Sequence, residues 1–390
     1  TAELLKGKRI AFVIGHGILQ QRYGIHTIDA ILNLSLMTGS LGIEGAGIYV
    51  LARENNQAGA MDMATVPNLL PGPIPLDEDA ARTTWEKNWK VKISPDPGLN
   101  MSRIIEAAES GGLKALYIMG ENPLRSLPQP ERVKAALEKL EFFVVQDILN
   151  NEIVKLADVA LPGAAASEKS GSFTNLEGRI QSFAAVVPPP GEAKPDWEIL
   201  DLLYARLGAP ERYGAVDKIR EEIRRLIPTY AEMNGAGQSW VKASSPMAVF
   251  HADGASEMLS FAPVVSTVDE KSDADYPFQA IMGSLRFHLG SGTRTMASGR
   301  IRDFDLNAEV AICAADAERL KLKDGDTVQV ESRWGAIKRK LGCSNRVGPG
   351  QLFVPLAVNA NDAMNLINFS DLADPNSTGW KTCAVRITKA

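Results

Sequence analysis

Three short apolar runs, each followed by polar residues, decide the fold of this chain. They lie in residues 115–181, which open with ALYIMGENPLRS, continue as FFVVQDILNNEIVKLADVALP and close with EKSGSFTNLEGRIQ. Apolar runs of four to six residues, separated by a helical pattern, are typical of a parallel sheet that is covered on both faces. We therefore predict strands at 115–119, 142–145 and 157–161, with a helix over about 129–140.

The residues that follow these strands are polar or lack a side chain. They are Gly120, Glu121 and Asn122, then Gln146 and Asp147, then Gly163. In open parallel sheets a ligand sits beyond the carboxyl ends of the strands, so these residues predict one crevice of nucleotide size. Each has a simpler interpretation as well: Asp147 could cap a helix or a turn, and Glu121 and Asn122 could be plain turn residues.

A second strand, turn and helix pattern lies near the start of the chain. Residues 6–14 read KGKRIAFVI, Gly15-His16-Gly17 follows, and the helical pattern runs from about His26 to Met37. A glycine-rich turn between a strand and a helix suits a phosphate or dinucleotide, which makes Gly15 a candidate ligand residue. We interpret His16 as a turn residue that lines a cleft. The long unpatterned stretch from 53 to 75 favours an ordered functional loop.

Composition limits the classes of protein to which this chain can belong. The chain has 390 residues, 45% of them hydrophobic and 23% charged, which predicts two or three soluble domains. A net charge of -5 without a basic cluster argues against a nucleic-acid partner. Apolar runs are too short for a membrane span, and we expect a cytoplasmic protein. Three dispersed cysteines, Cys313, Cys343 and Cys383, are expected to be small buried hydrophobes.

The second half of the chain changes character near Tyr276. Before it, DWEILDLLYARL (196–207) predicts a helix, and the charged run VDEKSDAD marks a linker. After it, short strands alternate with glycine and aspartate turns, which indicates a closed barrel. We predict three domains: 1–100, the end of an α/β domain with a long polar loop; 101–275, a second α/β domain with a helical tail; and 276–390, the barrel.

Taken together, the motifs resemble those of the molybdopterin oxidoreductase superfamily. The resemblance is to the C-terminal portion of a formate dehydrogenase catalytic subunit or of the large (75 kDa-type) subunit of NADH:quinone oxidoreductase. It covers nearly all of the chain and is weakest at 76–100 and 210–275. Its motifs are TGSLGIEGAG, RENNQAGAMDMATVPNLLPG, YIMGENPLRSLP, VVQDILNNEIVKLADVALP, EKSGSFTNLEGRIQ, GSLRFHLGSGT, DAERLKLKDGDTVQVESRWGAI and PGQLFVPL.

The resemblance implies an α/β parallel-sheet dinucleotide-binding region followed by a C-terminal double-psi β-barrel. Residues 1–100 would be the end of a cofactor domain and residues 101–275 a guanosine-binding domain, and with the barrel they would hold a bis-molybdopterin guanine dinucleotide with molybdenum or tungsten. The strand-end residues Gly120, Glu121, Asn122, Gln146 and Asp147, together with Asn175, would contact the dinucleotide. In the barrel, the matching positions are Arg286, His288, Gly292, Thr293, Asn365 and Lys381. His288 could equally be a satisfied loop histidine, Lys381 a surface lysine and Asn175 a surface residue.

Relatives carry an iron–sulfur cluster and a cysteine or selenocysteine that ligates the metal, and no matching motif occurs in these 390 residues. We therefore expect no catalytic or metal-ligating residue here. An N-terminal portion of the same enzyme, or a separate chain, would supply both groups, with electron-transfer subunits beyond. The expected chemistry is oxidation of formate to CO2. A scaffold that resembles the NADH:quinone oxidoreductase subunit and lacks a molybdenum cofactor stays open as the alternative.

Overall fold

The computed structural model describes residues 2–5, 7–41, 43, 45–208, 212–233, 238–240, 260–265, 272–288, 290–304 and 306–390. The α-helices within these ranges are α1 (Ala2–Leu5), α2 (Gly24–Met37), α3 (Gln57–Asp62), α4 (Asp79–Trp89), α5 (Met101–Glu109), α6 (Pro123–Ser126), α7 (Pro130–Leu137), α8 (Asp196–Arg206), α9 (Val216–Leu226), α10 (Thr293–Ala297) and α11 (Ala314–Arg319).

The strands of the same residues form several small sheets and one barrel. They are β1 (Ala11–Gly15), β2 (Gly47–Leu51), β3 (Leu69–Leu70), β4 (Ile74–Pro75), β5 (Ala115–Met119), β6 (Phe142–Asp147), β7 (Val159–Pro162), β8 (Gly171–Thr174), β9 (Arg179–Phe183), β10 (Gln238–Trp240), β11 (Phe278–Gly283), β12 (Val310–Ile312), β13 (Thr327–Ser332), β14 (Ala336–Cys343), β15 (Gln351–Pro355) and β16 (Thr382–Lys389).

The predicted parallel sheet is present and consists of β5, β6 and β7 in that order. Phe143 and Val145 of β6 are buried against Ile105 of α5 and Val133 of α7. Burying a side chain of this size stabilises a fold by roughly 1.5–3 kcal/mol, so the helices are held to the sheet mainly by apolar contact. All three strands end at the same edge, where the polar residues follow.

The first strand of the chain pairs with a strand that the sequence pattern did not predict. β1 and β2 run parallel, with Ala11 opposite Gly47 and Gly15 opposite Leu51. A single turn of 3-10 helix (His16–Gln20) and then α2 follow β1, as the strand, turn and helix pattern predicted. β2 follows a glycine-rich stretch, which obscured its short apolar run. Residues 76–100, where the resemblance is weak, contain α4.

The long loop after Arg53 is ordered around buried polar groups. It contains α3 and the short β3–β4 pair. The Asp62 carboxylate accepts a hydrogen bond from the Tyr230 hydroxyl at 2.7 Å, and the same hydroxyl lies 2.9 Å from Thr174 Oγ1. All three side chains are buried. Asn56 Oδ1 also accepts from the Thr174 amide at 2.9 Å, so polar contacts fasten the loop to β8.

The C-terminal region is a closed barrel of six strands in the order β11-β15-β12-β14-β13-β16. The β11–β15 and β12–β14 pairs are parallel, and the other four pairs are antiparallel. Alternate residues point inward and are buried, among them Ala280, Val328, Leu352 and Val354. The predicted barrel is therefore confirmed. The domain boundary near Tyr276 stays a prediction, and residues 268–271 of its charged run lie outside the described residues.

Candidate functional site

The carboxyl ends of β5, β6 and β7 form a polar crevice. Gly120, directly after β5, has φ = 68°, a left-handed conformation that favours glycine, and open space lies where a side chain would project. Asn122 is 4% exposed, and neither polar atom of its amide makes a hydrogen bond with a described residue. It does lie near Glu152. Against the effect of burial, Arg125 chiefly and Asn122 to a smaller extent keep the pKa of Glu152 below its usual value.

Gln146 is the centre of a hydrogen-bond network at this edge. Its side-chain oxygen accepts from the Tyr117 hydroxyl, and its nitrogen donates to Asp196 Oδ1 at 2.6 Å. Lys169 forms an ion pair with the other oxygen of Asp196. Burial, with the negative charge of Asp196, raises the pKa of Tyr117. The network fixes the amide of Gln146, which is 1% exposed, on both sides.

Asp147 is fixed by the turn that follows it. One carboxylate oxygen accepts from the Leu149 amide at 3.1 Å and the other from Asn151 Nδ2 at 3.0 Å. These bonds are those of a turn residue, which was the simpler interpretation of Asp147. A carboxylate oxygen can accept more than one hydrogen bond, so each retains acceptor capacity toward the crevice. Contact between Asp147 and a ligand stays a prediction.

A cationic group, defined as His16, Arg53 and Lys381, lies where β1, β2 and the end of the barrel meet. Burial and the positive charges of Arg53 and Lys381 lower the pKa of His16, against the opposing effect of Glu54. Burial and Arg53 likewise lower the pKa of Lys381. Burial is the larger cause of each depressed pKa, and the neighbouring positive charge adds to it. An anion placed among these side chains would relieve that repulsion.

The end of the barrel is docked on the turn after β1 by backbone hydrogen bonds. The Trp380 amide donates to the Gln20 carbonyl at 2.7 Å, and the Tyr23 amide donates to the Ser377 carbonyl at 3.2 Å. Lys381, which is half-buried, therefore sits beside the turn that carries His16. Gly15, the predicted ligand residue, ends β1 at the same place, and open space lies where its side chain would be.

The barrel loop 286–293 joins the cationic group to the strand-end crevice. Gly290 packs so closely on the Arg53 guanidinium that a β-carbon there would overlap it. A β-carbon on Gly292 would lie 2.6 Å from that of Ala357. Asn361 follows; its Oδ1 accepts from the Ala357 amide at 2.9 Å, and its Nδ2 donates to the Arg125 carbonyl in α6 at 2.5 Å. The structure thus brings the two regions together through one loop.

The segment after β15 has an unusual backbone. Ala357, Asn359, Ala360 and Asn361 all have positive φ, from 49° to 71°. A residue other than glycine costs about 1–2 kcal/mol in this conformation, although asparagine tolerates it better than most. The two hydrogen bonds of Asn361 hold the turn against α6 and offset part of that cost. No sequence motif had pointed to Asn361.

The predicted barrel residues differ in how they are engaged. His288 is fully buried; its Nδ1 lies 3.1 Å from Thr295 Oγ1 and its Nε2 lies 3.0 Å from the Phe304 carbonyl. Both ring nitrogens thus have partners inside the loop, as in the alternative of a satisfied histidine. Arg286 is exposed, with its guanidinium 5.4 Å from the Phe287 ring centroid. A ligand contact for either residue stays a prediction.

Three further predicted residues occupy defined places. Thr293 begins α10, and its hydroxyl lies 3.0 Å from that of Ser291. Asn365 is partly buried beside Gly335, where a β-carbon would lie 2.5 Å from the Asn365 carbonyl. Asn175 forms the β8–β9 turn, in which its Oδ1 accepts from the Glu177 and Arg179 amides at 3.0 and 2.9 Å. These bonds explain the Asn175 side chain without a ligand.

The cysteines lie in or next to barrel strands, as the sequence indicated. Cys313 and Cys383 are buried, whereas Cys343 is exposed, which corrects the expectation that all three are buried. Partial desolvation of its thiol by neighbouring atoms, with the negative charge of Asp324, raises the pKa of Cys343. Among the residues that the structure describes, no group of three or more His, Cys, Asp or Glu could hold a metal ion. Nor is any helix of these residues long and apolar enough to cross a membrane.

The chain is similar to proteins of known family and structure. Residues 1–206 match the family described as "Molybdopterin oxidoreductase", and residues 278–383 match the "Molydopterin dinucleotide binding domain". The alpha subunit of an F420-dependent formate dehydrogenase from Methanocaldococcus jannaschii is 35% identical over 98% of this chain and 58% of its own length. The alpha subunit of an NADPH-Fe(3+) oxidoreductase from Geobacter sulfurreducens is 32% identical over 91% of this chain and 40% of its own length.

A solved structure shows the same fold. Acetylene hydratase from Pelobacter acetylenicus superposes with a TM-score of 0.67 over 95% of this chain and 59% of its own, at 18% identity. The chain therefore spans roughly 40–60% of the length of these relatives. The first family match alone covers more than half of the chain. The chain belongs to the molybdopterin oxidoreductase family.

Proposed function

We propose that this chain is the cofactor-holding part of a formate dehydrogenase-type oxidoreductase with a bis-molybdopterin guanine dinucleotide. The observation that carries the proposal is the loop 286–293, which joins the cationic group to the strand-end crevice through Gly290 and Gly292. Relatives named as formate dehydrogenase alpha subunits, with sequence similarity across 96% and 98% of the chain, support the formate branch.

The residues present fit such a group. A dinucleotide needs cationic or amide donors for its phosphates and a carboxylate for the N–H edge of guanine. The cationic group supplies donors for the phosphates, and the Asp147 carboxylate can still accept a hydrogen bond from the guanine. The buried Asn122 amide lies at the same edge, and neither of its polar atoms has a hydrogen-bond partner of good geometry among the described residues. Buried polar groups are normally satisfied, so an amide left without a partner favours a ligand there.

The chain's own residues would bind the cofactor and orient it. Lys381 and Arg53 would attract the anionic groups of the cofactor or of formate, and their mutual repulsion would fall as the anion arrives. His16 is mainly neutral at pH 7, because its pKa lies below the ordinary 6.5. When bound, the metal and dithiolene group supplies the two-electron chemistry that converts formate to CO2, a proton and two electrons.

The metal ligand and the iron–sulfur cluster would come from elsewhere. We propose that they lie in the further portion of a longer polypeptide or on a separate chain, since this chain spans 58% of the methanogen subunit. Relatives are named as alpha subunits, which favours electron-transfer partners, and a cytoplasmic location is part of the same proposal. Molybdenum and tungsten remain equal candidates.

The test is the metal and pterin content of the native polypeptide, purified with everything that copurifies. We expect molybdenum or tungsten with two pterins per chain, and a clear loss of both in Asp147→Ala and Arg286→Ala. Arg346→Ala, at an exposed arginine in the turn between β14 and β15, serves as the control and should retain both. A native polypeptide with neither metal nor pterin would instead favour the scaffold. Full content in both variants would remove Asp147 and Arg286 from the site.

A further inference from the structure

The outward side of α8 is apolar where a surface helix is normally polar. Leu200, Leu203, Tyr204 and Leu207 recur at the i, i+3, i+4, i+7 spacing and therefore form one stripe along the helix. They are 41%, 38%, 42% and 86% exposed. We call these four residues the α8 stripe. Single exposed leucines are common on protein surfaces, but a contiguous stripe of this kind marks an interaction site.

The two flanks of the α8 stripe show how the helix is held. Ile199 and Asp201, about 100° to either side of Leu200 around the helix axis, are buried. The Asp201 carboxylate accepts from the Tyr213 amide at 2.8 Å, the Gly214 amide at 3.2 Å and Arg212 Nε at 2.9 Å. Burial opposes ionisation, yet these bonds keep the pKa of Asp201 below its usual value. The helix is thus fixed in rotation by a buried charge.

The stripe runs into a cleft of about 570 Å³ between α4, α8 and α9. Tyr204 belongs to both, and its ring stacks on that of Tyr213 with centroids 6.5 Å apart. Trp89 forms another wall, and its indole N–H donates to Glu222 at 3.1 Å. The Tyr213 hydroxyl donates to the same carboxylate at 3.0 Å. Aromatic walls fixed in this way suit a binding surface.

The cleft carries an excess of positive charge on a chain that is acidic as a whole. Its charged lining consists of Lys90, Arg212, Lys218 and Arg225 against Glu221 and Glu222. Four cations against these two carboxylates and the buried Asp201 that is paired with Arg212 leave one positive charge in excess, whereas the whole chain has a net charge of -5. Glu222 is also engaged by Trp89 and Tyr213, and Glu221 by Lys218. The cleft therefore favours an anionic group.

We infer that the α8 stripe and this cleft together bind an amphipathic helix of another polypeptide. The apolar face of that helix would cover the stripe, and its Asp or Glu side chains would enter the cleft. A second copy of this chain fits less well. A symmetric pair places the same surface on both sides, so two cationic clefts would face each other. The inference does not rest on the proposed cofactor, and either can fail without the other.

The experiment uses a photo-crosslinking residue in the native, full-length polypeptide with its copurifying subunits. Leu207, the most exposed member of the stripe, is replaced by p-benzoylphenylalanine, and the crosslinked peptide is sequenced by mass spectrometry. The matched control carries the same residue at Lys338, which is exposed on the barrel strand β14. Two charge reversals, Arg225→Glu and Lys218→Glu, are then combined with the Leu207 replacement.

We expect an adduct with a different polypeptide, at a segment with apolar residues three and four apart and with Asp or Glu beside them. Its yield should fall at least threefold in a charge-reversal variant that keeps the wild-type circular dichroism. Four results would overturn the inference: a peptide from this same sequence, a peptide without carboxylates, a yield that neither reversal changes, or no more adduct than at Lys338. Lys218 lies on the exposed side of α9, so its reversal tests the charge even if Arg225→Glu does not fold.

Discussion

Replacing Tyr230 by phenylalanine should loosen the loop that contains α3. The substitution keeps the buried ring and removes only the hydroxyl that donates to Asp62 and contacts Thr174. Losing a hydrogen bond to a charged group costs about 1.5–3 kcal/mol, and losing a neutral one costs about 1 kcal/mol. We expect a total of roughly 2–4 kcal/mol in local stability at pH 7 to 8, because Asp62 would be left buried without its donor.

The pH dependence gives this prediction a second test. Burial raises the pKa of Asp62 above 3.8, and the Tyr230 hydrogen bond partly reverses that shift. A carboxyl whose pKa is raised on folding binds more protons in the folded state, so its contribution to stability falls as pH rises from about 4 through the folded-state pKa. Without the hydroxyl that pKa rises further. The loss caused by Tyr230→Phe should therefore be smaller at pH 4.5 than at pH 8.

Hydrogen exchange at the amides of 57–63 and 228–233 measures the local opening. A loss of 2–4 kcal/mol corresponds to exchange that is roughly 30- to 1000-fold faster, after correction for the intrinsic rate at each pH. Tyr204→Phe, at an exposed tyrosine, should leave these amides unchanged. Equal protection in Tyr230→Phe and wild type, or an acceleration that is the same at pH 4.5 and pH 8, would refute the reasoning.

Three further substitutions test the site and the barrel. Arg53→Ala should raise the pKa of His16 toward 6.5, since one of the cations that lowers it is gone. The folded state then binds a proton at His16 more readily, so the variant should lose less of its free energy of unfolding than wild type as pH falls below 6.5. An NMR titration in which the pKa of His16 does not rise would contradict this. Asn361→Ala removes both hydrogen bonds of the left-handed turn, so the free energy of opening of the α6 amides, measured by hydrogen exchange, should fall by about 2 kcal/mol. Unchanged exchange rates in α6 would show that the turn is stable without these bonds. Arg339 is buried and bonded to Asp362 and to two backbone carbonyls, so Arg339→Ala should lower the free energy of unfolding by about 3–5 kcal/mol. The barrel should then have a lower denaturation midpoint, and a midpoint equal to that of wild type would mean that the Arg339–Asp362 pair contributes nothing.

The fold was predictable where a periodic pattern coincided with a whole element. The strand at Ala115–Met119 has the predicted bounds, because its apolar residues run together and a clear turn follows them. The strand β2 was missed since glycines precede it and its parallel partner lies more than thirty residues earlier. The pattern in 53–75 gave no element at all, because buried polar contacts rather than apolar periodicity fix that loop.

The site was predictable only in part, because some of its contacts join residues that are far apart in the sequence. Strand ends can be inferred locally, and Gly120, Asn122 and Gln146 do lie at one edge. Arg53 reaches Gly290 only in three dimensions, as Lys169 reaches Asp196, so neither pairing has a signal in the sequence.

The docking of Gln20 and Tyr23 on Ser377 and Trp380 has a consequence for how the chain is made. Translation proceeds from the N-terminus, and early segments usually begin to fold while later ones are still being added. Here the turn after the first strand takes its final backbone partners from residues near the other end. The Asn100 side chain likewise donates a hydrogen bond to Asp371, which lies 271 residues later in the chain. Residues 377–381 must therefore be synthesised before His16, Arg53 and Lys381 come together, and an occupant of that place can be bound only after that point.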